Sequence, residues 1–126
     1  MNAAPTKLPR MLPIPPMMIM KSTWNERPIS QARGSAAGTG LYRVRSSHHA
    51  GLVYVGQGTI ALRLRAHAAK ALRTGHRQGP SFTGDLEASW IALPGLTLAN
   101  LLEHENDLIA AHVLATGHAP AAQFLG

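Results

Sequence analysis

The stretch that most restricts this chain is Gly40 to His67, GLYRVRSSHHAGLVYVGQGTIALRLRAH. Leu41 to Arg45 alternates apolar and polar residues, the period of a half-buried strand. Ser46 to Gly51 is polar and closes on glycine, which predicts a hairpin loop. Leu52 to Val55 is continuously apolar and predicts the more buried partner strand. Gly56 and Gly58 are then expected to break the chain, with Thr59 placed to cap a helix. That helix is expected over Ile60 to Arg73. At about 100° per residue, Ile60, Ala61, Leu64, Ala68, Ala71 and Leu72 share one face. Arg63 and His67, four positions apart, stand one above the other on its flank, and Arg65 and Arg73 point to solvent.

The residues before this stretch read differently. Pro5, Pro9, Pro13, Pro15, Pro16 and Pro28 each fix φ and remove a backbone donor, so neither a helix nor a central strand runs through them. Lys7 and Arg10 precede the apolar run Met11 to Met20, in outline like a secretory leader. Three prolines interrupt that run, however, and Lys21-Ser22-Thr23-Trp24 offers no small-residue cleavage site. Residues 1–38 are therefore expected to form a Pro- and Met-rich, basic, extended or disordered arm. It would pack through Trp24 and the methionines, with Gln31 to Thr39 as a linker. Residues 39–126 are expected to form one domain.

After the first long helix, Thr74 to Gly84 is Gly-rich and basic and predicts a loop. Leu86 to Leu93 predicts a third strand, ended by Pro94-Gly95. A second long helix is expected from Thr97 or Leu98 to about Ala115, with Gly117 as its stop. Leu98, Leu101, Leu102, Leu108, Ile109 and Val113 form its expected buried stripe. Glu105 and His112 fall inside that stripe, whereas Glu103 and Asp107 fall opposite. A helix that needed only solubility would keep its carboxylates outside. A carboxylate facing the sheet must be paired or bound to a cation, since burying it alone is costly. Glu105 is therefore read either as one half of an ion pair with Arg63 or as a cation ligand. Phe124, in the short tail, is expected against the core.

Charge sharpens the class of partner. Twelve Lys+Arg against six Asp+Glu give +6 and a pI of about 10.9, which suits a polyanion, most commonly nucleic acid. The absence of cysteine excludes disulfides and thiolate metal sites and fits a reducing cytoplasmic setting. No apolar run reaches the length of a membrane span, so no membrane partner is expected. Gly56-Gln57-Gly58 with Ala61 outlines a dinucleotide fingerprint, but the acidic residue required about twenty positions later is missing. His104-Glu105 begins a zinc-protease motif that fails at Leu108, where the second histidine is required.

Five elements in order resemble the GIY-YIG nuclease family. They are Gly40-Leu41-Tyr42, Tyr54-Val55-Gly56, Arg63 with His67 one turn later, Glu105 within Leu102-Glu103-His104-Glu105-Asn106, and Gln123 near the domain end after Pro120. Leu41 stands for isoleucine and Gln123 for the more usual asparagine. Gln57 replaces the lysine that many relatives carry there. The resemblance covers about residues 39–126. It implies an α+β domain with a small antiparallel three-stranded sheet flanked by helices, and metal-dependent hydrolysis of DNA phosphodiester bonds. By the same resemblance Glu105 binds Mg²⁺ or Mn²⁺, Arg63 holds the phosphate, Tyr42 or Tyr54 handles the attacking water, and His67 orients or relays a proton. DNA contacts are expected from Gln57, Arg65, His76, Arg77 and Gln123. A non-catalytic nucleic-acid-binding module on the same fold is the alternative. DNA specificity is expected from the arm, the Thr74–Gly84 loop, a homodimer or a further partner.

Overall fold

The computed structural model describes residues 24–73 and 75–125. The chain forms an α+β fold around one antiparallel sheet of four strands. In chain order the elements are β1 (Asn25–Pro28), α1 (Ile29–Ser35), β2 (Thr39–Ser46), β3 (Leu52–Thr59), α2 (Ile60–Lys70), a 3₁₀ turn (Gly79–Phe82), β4 (Leu86–Ala92) and α3 (Leu98–Thr116). The sheet order is β1-β4-β2-β3. The sheet thus has four strands where three were expected. The extra strand and α1 come from residues assigned to the arm. Pro28, taken as a breaker, acts as punctuation instead. It ends β1 opposite Glu87 and caps α1 at φ −52°, an angle that suits the residue just before a helix. Ile29, Ala32 and Ala36 then enter the core, so the expected linker is part of the packed fold. The part of the expected arm before Trp24 lies outside the described residues.

Two helical layers sandwich the sheet. On one face α1 and α2 cover Tyr42, Val44, Val53, Ala88 and Trp90. On the other, α3 covers Leu41 and Val55 with Leu101 and Leu108. Alternation along β2 sends Leu41 one way and Tyr42 the other. In β3 the register shifts: Val44 pairs with Tyr54 but Arg45 with Leu52, which leaves Val53 as the extra residue of a bulge. Strand β3 does not stop at Gly56 as expected but pairs through to Thr59, opposite Thr39.

Helix α2 is shorter than its apolar pattern, and Leu72 beyond it is exposed. Its buried residues are Ile60, Leu64 and His67, so His67 belongs to the inner stripe and not to the flank. In α3 the buried residues are Leu101, His104 and Leu108. Leu98, at 63% exposure, and Leu102 and Val113 face out. The helix is rotated from the leucine-centred expectation because Leu101 and Leu108 dock on Leu41 and Val55, which brings His104 inward. Glu105 moves from the centre of the buried face to its rim. Gly117 ends α3 as expected, in the left-handed conformation at φ 83°, with its N–H on the Val113 carbonyl. His112 ties that end to the sheet: its Nε2 accepts the Leu52 N–H at 3.0 Å, and its Nδ1–H donates to the His118 carbonyl at 2.7 Å. Phe124 is 77% exposed, against expectation. Among the described residues no helix is long and apolar enough to cross a membrane.

Candidate active site

The hairpin supplies the floor. Tyr42 lies directly opposite Gly56 in the β2–β3 register, and Tyr54 sits one diagonal step along, opposite Val44. The tyrosine rings stack with centroids 6.2 Å apart. Both motif glycines have steric reasons. A Cβ on Gly56 would lie inside the Tyr42 hydroxyl, and a Cβ on Gly40 would collide with the Ile91 carbonyl of β4. One glycine makes room for the phenol, and the other lets the strands close up.

Helix α2 supplies the wall. The His67 Nε2 lies 2.7 Å from the Tyr42 Oη, and the Arg63 Nε–H donates to the same oxygen at 3.4 Å. The stem of Arg63 runs past Gly58, where a Cβ would meet its Cγ at 3.6 Å. His67 is also enclosed by Tyr54, at 4.5 Å between ring centroids, and by Phe82 of the 3₁₀ turn, stacked at 4.9 Å. Lys70, one turn beyond His67, places Nζ 2.9 Å from its Nδ1 and donates to the Gln78 Oε1. Lys70 and Gln78 were not singled out from the sequence. The three-residue step from His67 puts Lys70 on the same helix surface, so its approach was legible there. Gln78 arrives through a loop and left no local signal.

The electrostatics follow from burial amid positive charge. Between Glu26 and Asp85 the sequence carries no carboxylate side chain. Burial raises the Tyr42 phenol well above its ordinary range, although Arg63 beside it pulls the other way. Burial, then Lys70 and Arg63, push His67 down to about 3, so its imidazole is neutral. Burial, with Arg63 and Arg73, lowers Lys70 to about 8.

Glu105 approaches from the other side of the sheet, on α3 across the edge strand β3. Burial raises its carboxyl, and Arg63 partly offsets this; its charge in turn opposes ionisation of Tyr42. Its charge is therefore within electrostatic reach of Arg63 and Tyr42. No ion pair joins it to Arg63, since the one pair within 4.0 Å among the described residues is Arg45–Glu87. Among these residues no three His, Asp or Glu side chains gather to form a metal cage. A single half-buried carboxylate without a salt-bridge partner fits a hard divalent cation that keeps waters and takes phosphate oxygens.

The expected DNA-contact residues separate. Gln57 lies on β3 beside the site, partly exposed. Arg77 is exposed. Arg65 donates to the Arg33 carbonyl at 3.1 Å, which ties α2 to α1. The His76 Nδ1 accepts the Gln78 N–H at 3.1 Å, shaping the turn. Gln123 is committed elsewhere: its amide accepts from the Val55 N–H and donates to the Val55 carbonyl, both at 2.8 Å. Such a side chain imitates the backbone of a neighbouring strand, and it keeps a second N–H and a second carbonyl lone pair. Ala121 and Ala122 pair with the Leu52 and Val53 carbonyls on the same edge. Among the described residues nothing pairs with the outer side of Gln57, so the edge of β3 opens where the site begins. No protein-family profile matches the chain, and no curated protein matches it significantly.

Proposed function

We propose that the protein is a metal-dependent DNA endonuclease of the GIY-YIG type. The observation that carries this reading is the meeting of Tyr42, Tyr54, Arg63 and His67, from two strands and one helix, with the charge of Glu105 on α3 coupled to Arg63 and Tyr42. Tyr42 is the tyrosine hydrogen-bonded to both Arg63 and His67, which supports giving it the proton-handling role over Tyr54. Tyr54 walls His67 and stacks on Tyr42. Arg63 keeps a cationic fork at the mouth of the site, where a planar guanidinium suits phosphate oxygens. Glu105 would hold Mg²⁺ or Mn²⁺, which when bound supplies charge stabilisation for the phosphate and the departing oxygen. Because burial raises Tyr42, its base form is scarce at neutral pH, so cleavage should quicken as pH rises from 6 to 8.

The test is nicking of supercoiled plasmid with Mg²⁺ or Mn²⁺ by the wild type, Glu105→Ala and Arg63→Ala. The expected result is metal-dependent cutting by the wild type and little by either variant. DNA binding without cleavage under any divalent cation would replace this reading with a non-catalytic binding module. Cleavage by Glu105→Ala at the wild-type rate would remove Glu105 from the site.

A further inference from the structure

The hydrogen-bond donors and acceptors around His67 run in one direction, and that direction is set outside the five residues above. The Gln78 Nε2 faces two main-chain carbonyls, Ala122 at 3.2 Å and Leu125 at 2.7 Å. Carbonyls only accept, so the Gln78 amide is oriented with its NH₂ towards them and its Oε1 towards Lys70. That oxygen also only accepts, so Lys70 donates to it. An ammonium has three donors and no acceptor. The His67 Nδ1, 2.9 Å from the same Nζ, must then be the bare nitrogen of the ring. The ring proton lies on Nε2 and is donated to the Tyr42 Oη.

We propose that Lys70, oriented by Gln78, is a positioning residue that locks His67 as its Nε2–H tautomer. The Tyr42 oxygen thereby receives two donors, Nε2–H of His67 and Nε–H of Arg63. Two donors on a phenol oxygen favour its anion. With the opposite tautomer, Nε2 would take Tyr42's own proton, and His67 would become the base. Lys70 therefore selects which member of the pair accepts a proton. Among the described residues no carboxylate contacts Lys70. The groups around it are His67, Arg63 and Arg73, with the rings of Tyr54 at 5.5 Å and Phe82 at 5.2 Å beneath its charge. Held at about 8, Lys70 is mostly the ammonium at pH 7, and the lock weakens above that.

The selection of a base in cleavage rests on the nuclease reading, but the tautomer itself does not. The experiment is ¹⁵N NMR of the His67 ring in the full chain, for the wild type, Lys70→Met and Lys70→Arg. At pH 7 the wild type and Lys70→Arg should show one tautomer with the proton on Nε2, and Lys70→Met a mixture. Should Lys70→Met not fold, the wild type alone answers: its Nδ1 resonance should shift with a midpoint near pH 8. A pure Nε2–H tautomer in folded Lys70→Met, or a wild-type ring that does not respond between pH 7 and 10, would overturn the lock. In a cleavage assay Lys70→Met should lower kcat about tenfold with little change in KM, and Lys70→Arg should recover most of it. The expected NMR result without any cleavage would retain the lock and overturn the nuclease reading. Full kcat in Lys70→Met with a mixed tautomer would support the lock and overturn its role in selecting the base.

Discussion

His67 and His104 are buried on helices that pack against opposite faces of one sheet, at 0% and 2% exposure. Around His67 both ring nitrogens are engaged, by Tyr42 and by Lys70. Around His104 neither nitrogen has a partner among the described residues. His104 packs beside Leu101 and Leu108 in the inner stripe of α3. A buried polar group without a hydrogen bond weakens the fold. Burial alone therefore says nothing about function. What marks the α2 face is a chain of donors and acceptors that leads to a phenol oxygen beside an arginine.

The largest effect expected from this contrast is on cleavage. Arg63→Ala or Glu105→Gln should reduce plasmid nicking by about 100-fold or more, the scale of losing one preorganised charge contact in a transition state. His104→Leu should cut at the wild-type rate. Equal losses in the two sets would abolish the distinction between the faces. Gly56→Ala should destabilise the fold by about 1–3 kcal/mol, as overpacking does, because the new methyl occupies the place of the Tyr42 hydroxyl. Urea unfolding would read it, and an unchanged midpoint would contradict the close approach.

Acid should affect the His67 face. A histidine held neutral at about 3, against about 6.5 when unfolded, binds fewer protons folded than unfolded. Its contribution is thus fully present above 6.5 and is lost as pH falls towards 3, at about 1.4 kcal/mol per pH unit. Stability measured from pH 7 to 4.5 should show that slope in the wild type and a flatter one in His67→Gln. His104→Leu should gain about 1 kcal/mol in the same urea assay at pH 7, since it removes two unpaired nitrogens. A loss there would show that His104 has a partner. A change of the same size in the opposite direction, about 1 kcal/mol of destabilisation, is expected for Gln123→Leu, with DNA affinity unaltered. A drop in affinity would return Gln123 to the DNA surface.

Much of this arrangement was legible where the signal was local. The β2–β3 hairpin, the start of α2 and the span of α3 with its Gly117 stop follow from periodicity and helix end signals within short windows, although the Thr59 side chain makes no cap hydrogen bond. The meeting of Tyr42, Arg63 and His67 follows from strand alternation and helical spacing once the hairpin is placed. Non-local choices were not legible. Pro28 reads as a breaker until β4 is available to pair with Asn25 to Arg27. Leu98, Leu102 and Val113 outvoted His104 in apolar count, but docking of Leu101 and Leu108 decided which side of α3 faced the sheet. Phe82 and Gln78, which close over His67 and Lys70, lie in a loop whose composition announces only a turn. The pairing of Gln123 with the Val55 backbone leaves no local signal either.

The turn that places Gln123 has a consequence for assembly. A sheet edge with free carbonyls and amides invites strand addition from another chain. At one side this sheet ends in a four-residue strand closed by Pro28. At the other, Ala121, Ala122 and the Gln123 amide occupy the outward groups of Leu52, Val53 and Val55. Both rims are blunted, so copies of the domain have little means to join into a continuous sheet. Among the described residues the short rim at Gln57 carries no such partner.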